Sequence, residues 1–463
     1  MRYVTFGRPA RRGASVTHAV LFAQFLDDDL GCASYLVGDE DAGVALVVDP
    51  PFAIEALVAE AERRGVRIVK TLETHTHADH VSGHGRLALE LDVPVALHPA
   101  AEPEFPFEPL ADGARVELGA VVVTAMHTPG HRPEHTAYAV ADTSRSEEPW
   151  LVLTGDSLFV GDAARPDLAV EPREGAEGLY RSLRRLVDLG DGVEVYPGHV
   201  AGSMCGKAMS SKGSTTIGFE RRFNPMLRLE AEDEFVAESV GTAGMRPPNV
   251  ERIVALNRGP FVPAAAPLEP LADVPKGGVV LDVRPPEAFA QGHVPGALNV
   301  PVSGTSFATK AGFVLSADDV IAIHAASDEE AGQAARGLRA VGFLELAGRL
   351  DAPDAGERLE PVSLAELERL VEEDAAEVVD VREADERDDG YIPGSRHVPY
   401  RLVGAFADSI GNGKPVVTIC ETGARAAIAA SVLAAHGVDA RPVLGGGMAD
   451  WKGSTTHFRR CGS

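Results

Sequence analysis

The stretch Thr74-His75-Thr76-His77-Ala78-Asp79-His80 places three imidazoles and a carboxylate directly behind the apolar run Arg67-Ile68-Val69-Lys70-Thr71-Leu72. That run predicts a buried strand, so the histidines fall at the open edge of a sheet. Neutral imidazole is the commonest metal ligand, and clustering at short fixed spacing favours a metal site over a polar loop that happens to contain histidine. Three further predicted strands end the same way. Val121-Val122-Val123-Thr124 leads to His131, Leu151-Val152-Leu153-Thr154-Gly155 to Asp156, and Val193-Glu194-Val195-Tyr196-Pro197-Gly198 to His199.

A chain of 463 residues is too long for one ordinary core, and two to four domains are expected. The formal net charge of −26 repels nucleic acid and anionic membrane surfaces. The four cysteines, Cys32, Cys205, Cys420 and Cys461, lack CxxC spacing, so they suggest free thiols in a reducing compartment. Arg8, Arg11 and Arg12 ahead of Val16 to Leu26 imitate a signal peptide, but His18 and Gln24 interrupt it and Asp27-Asp28-Asp29 replace a cleavage site. The expectation is a cytoplasmic protein without a membrane span.

A linker rich in proline and alanine runs from Gly259 to Pro267, and behind it lies a repeat. Val280-Leu281-Asp282-Val283-Arg284 echoes Val379-Asp380-Val381-Arg382, and His293-Val294-Pro295-Gly296 echoes Tyr391-Ile392-Pro393-Gly394, both at an offset of 98 positions. Each unit alternates apolar strands with amphipathic helices, which predicts an α/β module with a parallel sheet. In the second copy Cys420 opens the loop Cys420-Glu421-Thr422-Gly423-Ala424-Arg425 between a strand and a helix. Backbone N–H groups of such a turn, the positive helix end and Arg425 together favour thiolate over thiol. Aligning Val320-Ile321-Ala322-Ile323 on the strand before Cys420 puts His324 at the cysteine position and Glu329 opposite Arg425, which predicts a catalytically silent first copy.

The order HxHxDH, His, Asp, His resembles the metallo-β-lactamase superfamily, an αββα sandwich. The pattern DVR…G(H/Y)(V/I)PG, with the Cys420 loop and Leu444-Gly445-Gly446-Gly447-Met448-Ala449-Asp450-Trp451, resembles the rhodanese domain. The segment Gly155 to Leu168 and the order of domains resemble the branch in which a persulfide dioxygenase is fused to a silent and an active rhodanese. The resemblance implies an α/β chain with a metal-binding domain over residues 1–255, a silent rhodanese over 265–355 and an active one over 360–463.

It also implies one Fe(II) per N-terminal domain, held by His75, His131 and Asp156, a set that leaves open positions. His77, Asp79, His80 and His199 would then support those ligands, or hold a second metal in the alternative, a two-zinc thioester hydrolase of the glyoxalase II type. Arg165, Asp167 and Arg425 are expected to contact substrate, and Cys420 and Cys205 to handle sulfur. The implied reactants are a small thiol persulfide, O2 and sulfite, giving sulfite and then thiosulfate, and the implied assembly is a homo-oligomer. His135 is expected near the site. His98 and His127 read as structural, Cys32 as core, and Cys461 as a tail residue without a role.

Overall fold

The computed structural model describes the chain apart from residues 1, 7–19, 202, 204–205, 207–208, 242–244, 352–355, 412 and 458–463. The chain divides into two compact units, residues 1–264 with 340–342, and residues 265–339 with 343–463. The first unit therefore runs past the boundary at 255 expected from sequence, and its last helix is Val250–Arg258.

Among the described residues the first unit holds a seven-stranded and a six-stranded sheet. In the first sheet the strands lie in chain order: Arg2–Phe6, Val20–Leu26, Ala33–Asp39, Val44–Val48, Arg67–Leu72, Val95–Leu97 and Glu108–Pro109. The second sheet runs Thr215–Thr216, Glu194–Pro197, Leu151–Gly155, Thr136–Asp142, Val121–His127, Arg115–Leu118.

Alternation along the strands sorts the side chains into layers. Phe22, Tyr35, Leu46, Val48 and Leu72 of one sheet meet Val121, Val123, Tyr138, Val140, Leu151 and Leu153 of the other in the central layer. The opposite face of the first sheet, Leu21, Ala23, Leu36, Ala45 and Val47, packs against Leu57 and Ala61 of the helix Glu55–Arg64 and Leu87 of His84–Leu91. The opposite face of the second, Ala137, Ala139, Val152 and Val195, packs against Leu179, Leu183 and Leu186 of the helix Pro172–Val187. The strands are apolar on both faces because both faces are covered, and the result is the expected αββα sandwich.

The second unit holds two parallel sheets. One has the order Pro270–Leu271, Leu346–Leu350, Ile321–His324, Val279–Asp282, Leu298–Asn299, and the other Arg396–His397, Glu377–Asp380, Val416–Ile419, Ala440–Pro442. The repeated DVR motif has the same job in both. Arg284 clamps Asp282 and donates to Gly292 O at 2.9 Å, while Arg382 clamps Asp380 and donates to Gly390 O at 2.7 Å. The motif ties the end of the central strand to the turn behind it.

Strand register corrects one expectation. Asp282 pairs with His324, whereas its counterpart Asp380 pairs with Ile419. His324 thus occupies the position of Ile419, and Ala325 that of Cys420. The error arose because the loop before the helix Asp328–Ala340 is one residue shorter than the loop before Ala424–Ala435.

Candidate metal centre and sulfur-carrying loop

His75, His131 and Asp156 each bring a donor atom to within 4.8 Å of the others, and all three are buried. Their hydrogen bonds fix which atoms face the common point. Thr74 Oγ1 gives its single proton to Asp49 Oδ2 at 2.8 Å, so His75 Nδ1–H donates to Thr74 Oγ1 at 2.9 Å and Nε2 keeps its lone pair. His131 Nδ1–H donates to Arg165 O at 3.0 Å, which likewise leaves Nε2 as the basic atom. Burial, reinforced at His75 by neighbouring imidazoles, pushes the proton affinity of both rings down, so both are neutral.

Asp156 Oδ1 accepts from His199 Nδ1 at 2.7 Å. Burial works against its charge, yet His199 and His131 hold its carboxyl below the usual range. Its second oxygen, Oδ2, is buried without a hydrogen-bond partner, 3.6 Å from His131 Nε2. An ionised oxygen left unpaired in the interior is costly, and a cation among the three residues relieves it. The donor set, two neutral imidazoles and one carboxylate, fits a divalent first-row metal.

The supporting backbone is equally specific. Asp156 N–H donates to His135 Nε2 at 2.9 Å, so His135 carries its proton on Nδ1, which faces Thr128 Oγ1 at 2.9 Å and Thr128 O at 3.1 Å. Burial lowers the His135 pKa to about 3, which keeps this ring neutral as an acceptor. Gly155 sits at φ +47°, and a Cβ there would lie 2.7 Å from His135 Nε2. A Cβ on Gly198 would lie 2.6 Å from Asp156 Oδ1.

The remaining residues of the motif divide. His77 Nε2 meets Glu73 Oε2 at 3.1 Å and Asp49 Oδ1 at 3.3 Å, and its Nδ1 is buried without a partner. Burial opposes its charge, but the two carboxylates raise its pKa well above the ordinary value. Asp79, His80 and His199 form a second group, and they do so with Cys32. Cys32 Sγ lies 3.2 Å from His199 Nε2 and 3.5 Å from both Asp79 Oδ2 and His80 Nδ1. Burial, then the Asp79 charge, pushes its thiol pKa well up. Cys32 is buried, as expected of a core residue, and it lies among potential ligands. Its sequence neighbourhood is apolar and its partners lie far along the chain, so no local pattern announces it.

Other supports were also silent in sequence. Asn257 Nδ2 donates to His77 O at 3.0 Å and His80 O at 2.8 Å, while its Oδ1 accepts from Ser82 N at 2.9 Å. Asp49, which anchors Thr74, did carry a readable signal: it follows the strand Val44–Val48 as Asp156 follows Leu151–Gly155.

Arg165 and Asp167 bind each other through paired contacts of 2.7 and 2.8 Å, and Arg165 Nη1 donates to Met245 O at 2.6 Å. Their side chains brace the loop whose carbonyl holds His131. Cys205, Lys207 and Cys461 lie outside the described residues. His98 and His127 stack at 4.0 Å.

Cys420 is buried at the end of Val416–Ile419. Its Sγ accepts from Gly423 N at 3.1 Å and Ala426 N at 3.3 Å. The loop folds so tightly because Gly423 takes φ +101° and opens the helix Ala424–Ala435. Two amides and a positive helix end therefore face the sulfur. Arg425 is engaged by Glu386 at 2.6 and 2.5 Å.

Comparison with known proteins finds matches for both parts of the chain. The Metallo-beta-lactamase superfamily profile matches residues 27–199, and the Rhodanese-like domain profile matches residues 268–351 and 363–454. An uncharacterized protein of Mycobacterium leprae (strain TN) is 32% identical over 228 residues, 43% of this chain and 94% of its own. Persulfide dioxygenase ETHE1, mitochondrial, of Homo sapiens is 28% identical over 236 residues, 49% of this chain and 83% of its own. The crystal structure of a metallo-beta-lactamase from Staphylococcus aureus subsp. aureus COL superposes with a TM-score of 0.66 at 26% identity, covering 72% of this chain and 99% of that one. Among the described residues no helix is long and apolar enough to cross a membrane. The chain belongs to the metallo-beta-lactamase superfamily, as an enzyme that carries two rhodanese-like domains behind its metal-binding fold.

Proposed function

We propose that the protein is a persulfide dioxygenase coupled to a sulfurtransferase. The observation that carries this reading is the pairing in one chain of a three-donor metal face, His75, His131 and Asp156, with a thiol cradled by backbone amides at Cys420. Iron(II) bound by that face would supply adjacent open positions for the terminal sulfur of a small thiol persulfide and for O2. The overall reaction balances as R–S–SH + O2 + H2O giving R–SH, sulfite and two protons.

The chain's own residues hold the metal face in place. Thr74 and the Arg165 carbonyl fix the two imidazole tautomers, and His199 occupies one carboxylate oxygen of Asp156, so that the other would be left to hold the metal. In the second unit Cys420 carries a sulfane sulfur. Sulfite attacks that outer sulfur, the S–S bond breaks, thiosulfate leaves and the Cys420 thiolate returns, stabilised by the Gly423 and Ala426 amides. The first rhodanese copy has Ala325 at the corresponding position and carries no sulfur.

The test is O2 uptake by anaerobically prepared, Fe(II)-loaded protein given a small-molecule persulfide. Rapid uptake that disappears in His131→Ala is expected; no uptake across several parent thiols removes the dioxygenase reading. Cys420→Ser is expected to keep sulfite release and abolish thiosulfate, and unchanged thiosulfate would transfer the role to another thiol such as Cys205. A second reading is favoured by the group Cys32, Asp79, His80 and His199, which offers four further donors for a two-zinc thioester hydrolase. Two tightly bound zinc ions per chain with turnover of a glutathione thioester would establish it.

A further inference from the structure

The two rhodanese-like copies bury their equivalent helices differently. In the first copy Asp328–Ala340 buries Ala331, Ala334, Ala335 and Leu338, a single stripe at i, i+3, i+4 and i+7. In the second copy Ala424–Ala435 buries eight consecutive residues, Ala426 through Leu433. Eight residues exceed two turns, so this helix is covered on every side. One side packs on its own strands Val416–Ile419 and Ala440–Pro442, and another on Leu298–Asn299, the edge strand of the first copy's sheet.

The contact is specific. Asn299 N–H, an edge donor that a bare sheet would leave to solvent, donates to Ser431 Oγ at 2.9 Å, and Ser431 Oγ–H in turn donates to Ile428 O at 2.7 Å. Asn299 is itself pinned, because its Nδ2 donates to Asp282 O at 2.9 Å and Arg284 O at 3.0 Å beside the DVR clamp. Both Asn299 and Ser431 are fully buried. A second contact joins Phe313, on the helix Phe307–Val314, edge-on to Tyr400 at 6.2 Å.

We infer that the first rhodanese-like copy serves as the rear wall of the Cys420 site, with Ser431 as a positioning residue for the helix whose first-turn amides hold the sulfur. The copy that has lost its nucleophile keeps its DVR clamp, and through Asn299 that clamp is part of the wall. The inference rests on Cys420 as the sulfur carrier but not on the identity of the metal.

The test uses the full chain with Ser431→Ala, Ser431→Thr and Phe313→Ala. Ser431→Ala leaves Asn299 N–H buried without an acceptor. Amide hydrogen exchange over 424–435 should rise at least about tenfold. Sulfur transfer from persulfidated Cys420 to sulfite should lose kcat with the KM for sulfite unchanged, and Ser431→Thr, which restores the hydroxyl, should recover both. Where Ser431→Ala does not fold, Phe313→Ala asks the same question through the second contact. Faster exchange with unchanged kcat would make the contact passive packing and overturn the inference, as would unchanged exchange. A wild-type Cys420 that accepts no sulfane sulfur would instead remove the carrier reading, and its alkylation rate, followed on the Cys420 peptide by mass spectrometry, then reports on the wall.

Discussion

At the scale of single residues the metal face depends on tautomers and close approaches. Gly198 is one such point: an added methyl would meet Asp156 Oδ1 at 2.6 Å, where His199 now donates. Gly198→Ala should weaken cobalt(II) or iron(II) binding by about 10–100-fold, read by equilibrium dialysis, while the far-ultraviolet circular dichroism is unchanged. His135 sets a pH dependence. Its pKa is lowered to about 3 in the fold, against 6.5 in an unperturbed ring. As pH falls below about 6.5 the unfolded chain takes up a proton that the folded chain refuses, so the stability this ring contributes declines down to about pH 3. The melting temperature of metal-free protein should fall across that window; a flat profile between pH 6.5 and 4.5 would show that the ring is protonated inside the fold. His75, His131 and Asp156 were legible because each follows a strand that the apolar runs announce. Cys32 was not: its neighbours in the chain are apolar, and the residues that give it meaning are 47, 48 and 167 positions away.

At the scale of elements, the strands were readable because both faces of each sheet are covered, which turns them into apolar runs with sharp ends. The strand Arg67–Leu72 matches its expected limits. What escaped was register. His324 and Ala325 differ by one position, and a strand slipped by one residue looks the same in an apolar run, whereas pairing with Asp282 decides it. The DVR clamp is an element-scale device, and its loss has a definite consequence. Arg382→Ala leaves the buried Asp380 carboxylate with Arg387 alone on its outer oxygen. The second unit should lose about 3–5 kcal/mol of stability in a denaturant titration, with sulfur transfer failing at the same denaturant concentration. A loss below 1 kcal/mol would mean that Arg387 replaces the clamp.

At the scale of the whole molecule, each unit has its own cores and its own candidate site. Arg382→Ala should therefore leave metal binding by the first unit unaltered in the same sample, and a coincident loss would show that the units fold as one. Composition foretold several domains and the repeat foretold two similar ones, but the extent of the first unit was hidden. Helix Val250–Arg258 straddles the boundary expected at residue 255. It belongs to the metal-binding unit because Asn257 reaches the backbone of the histidine loop, a contact between residues 177 and 180 positions apart. That reach dictates where the gene for such a chain can be cut and rejoined. A splice upstream of Asn257 discards the latch on the histidine loop together with the appended modules, whereas one placed within Gly259–Pro267 keeps it. Exchange of sulfur-handling partners by recombination is thus barred upstream of Asn257, and a metal unit inherited without its final helix would have to evolve another way to hold His77 and His80.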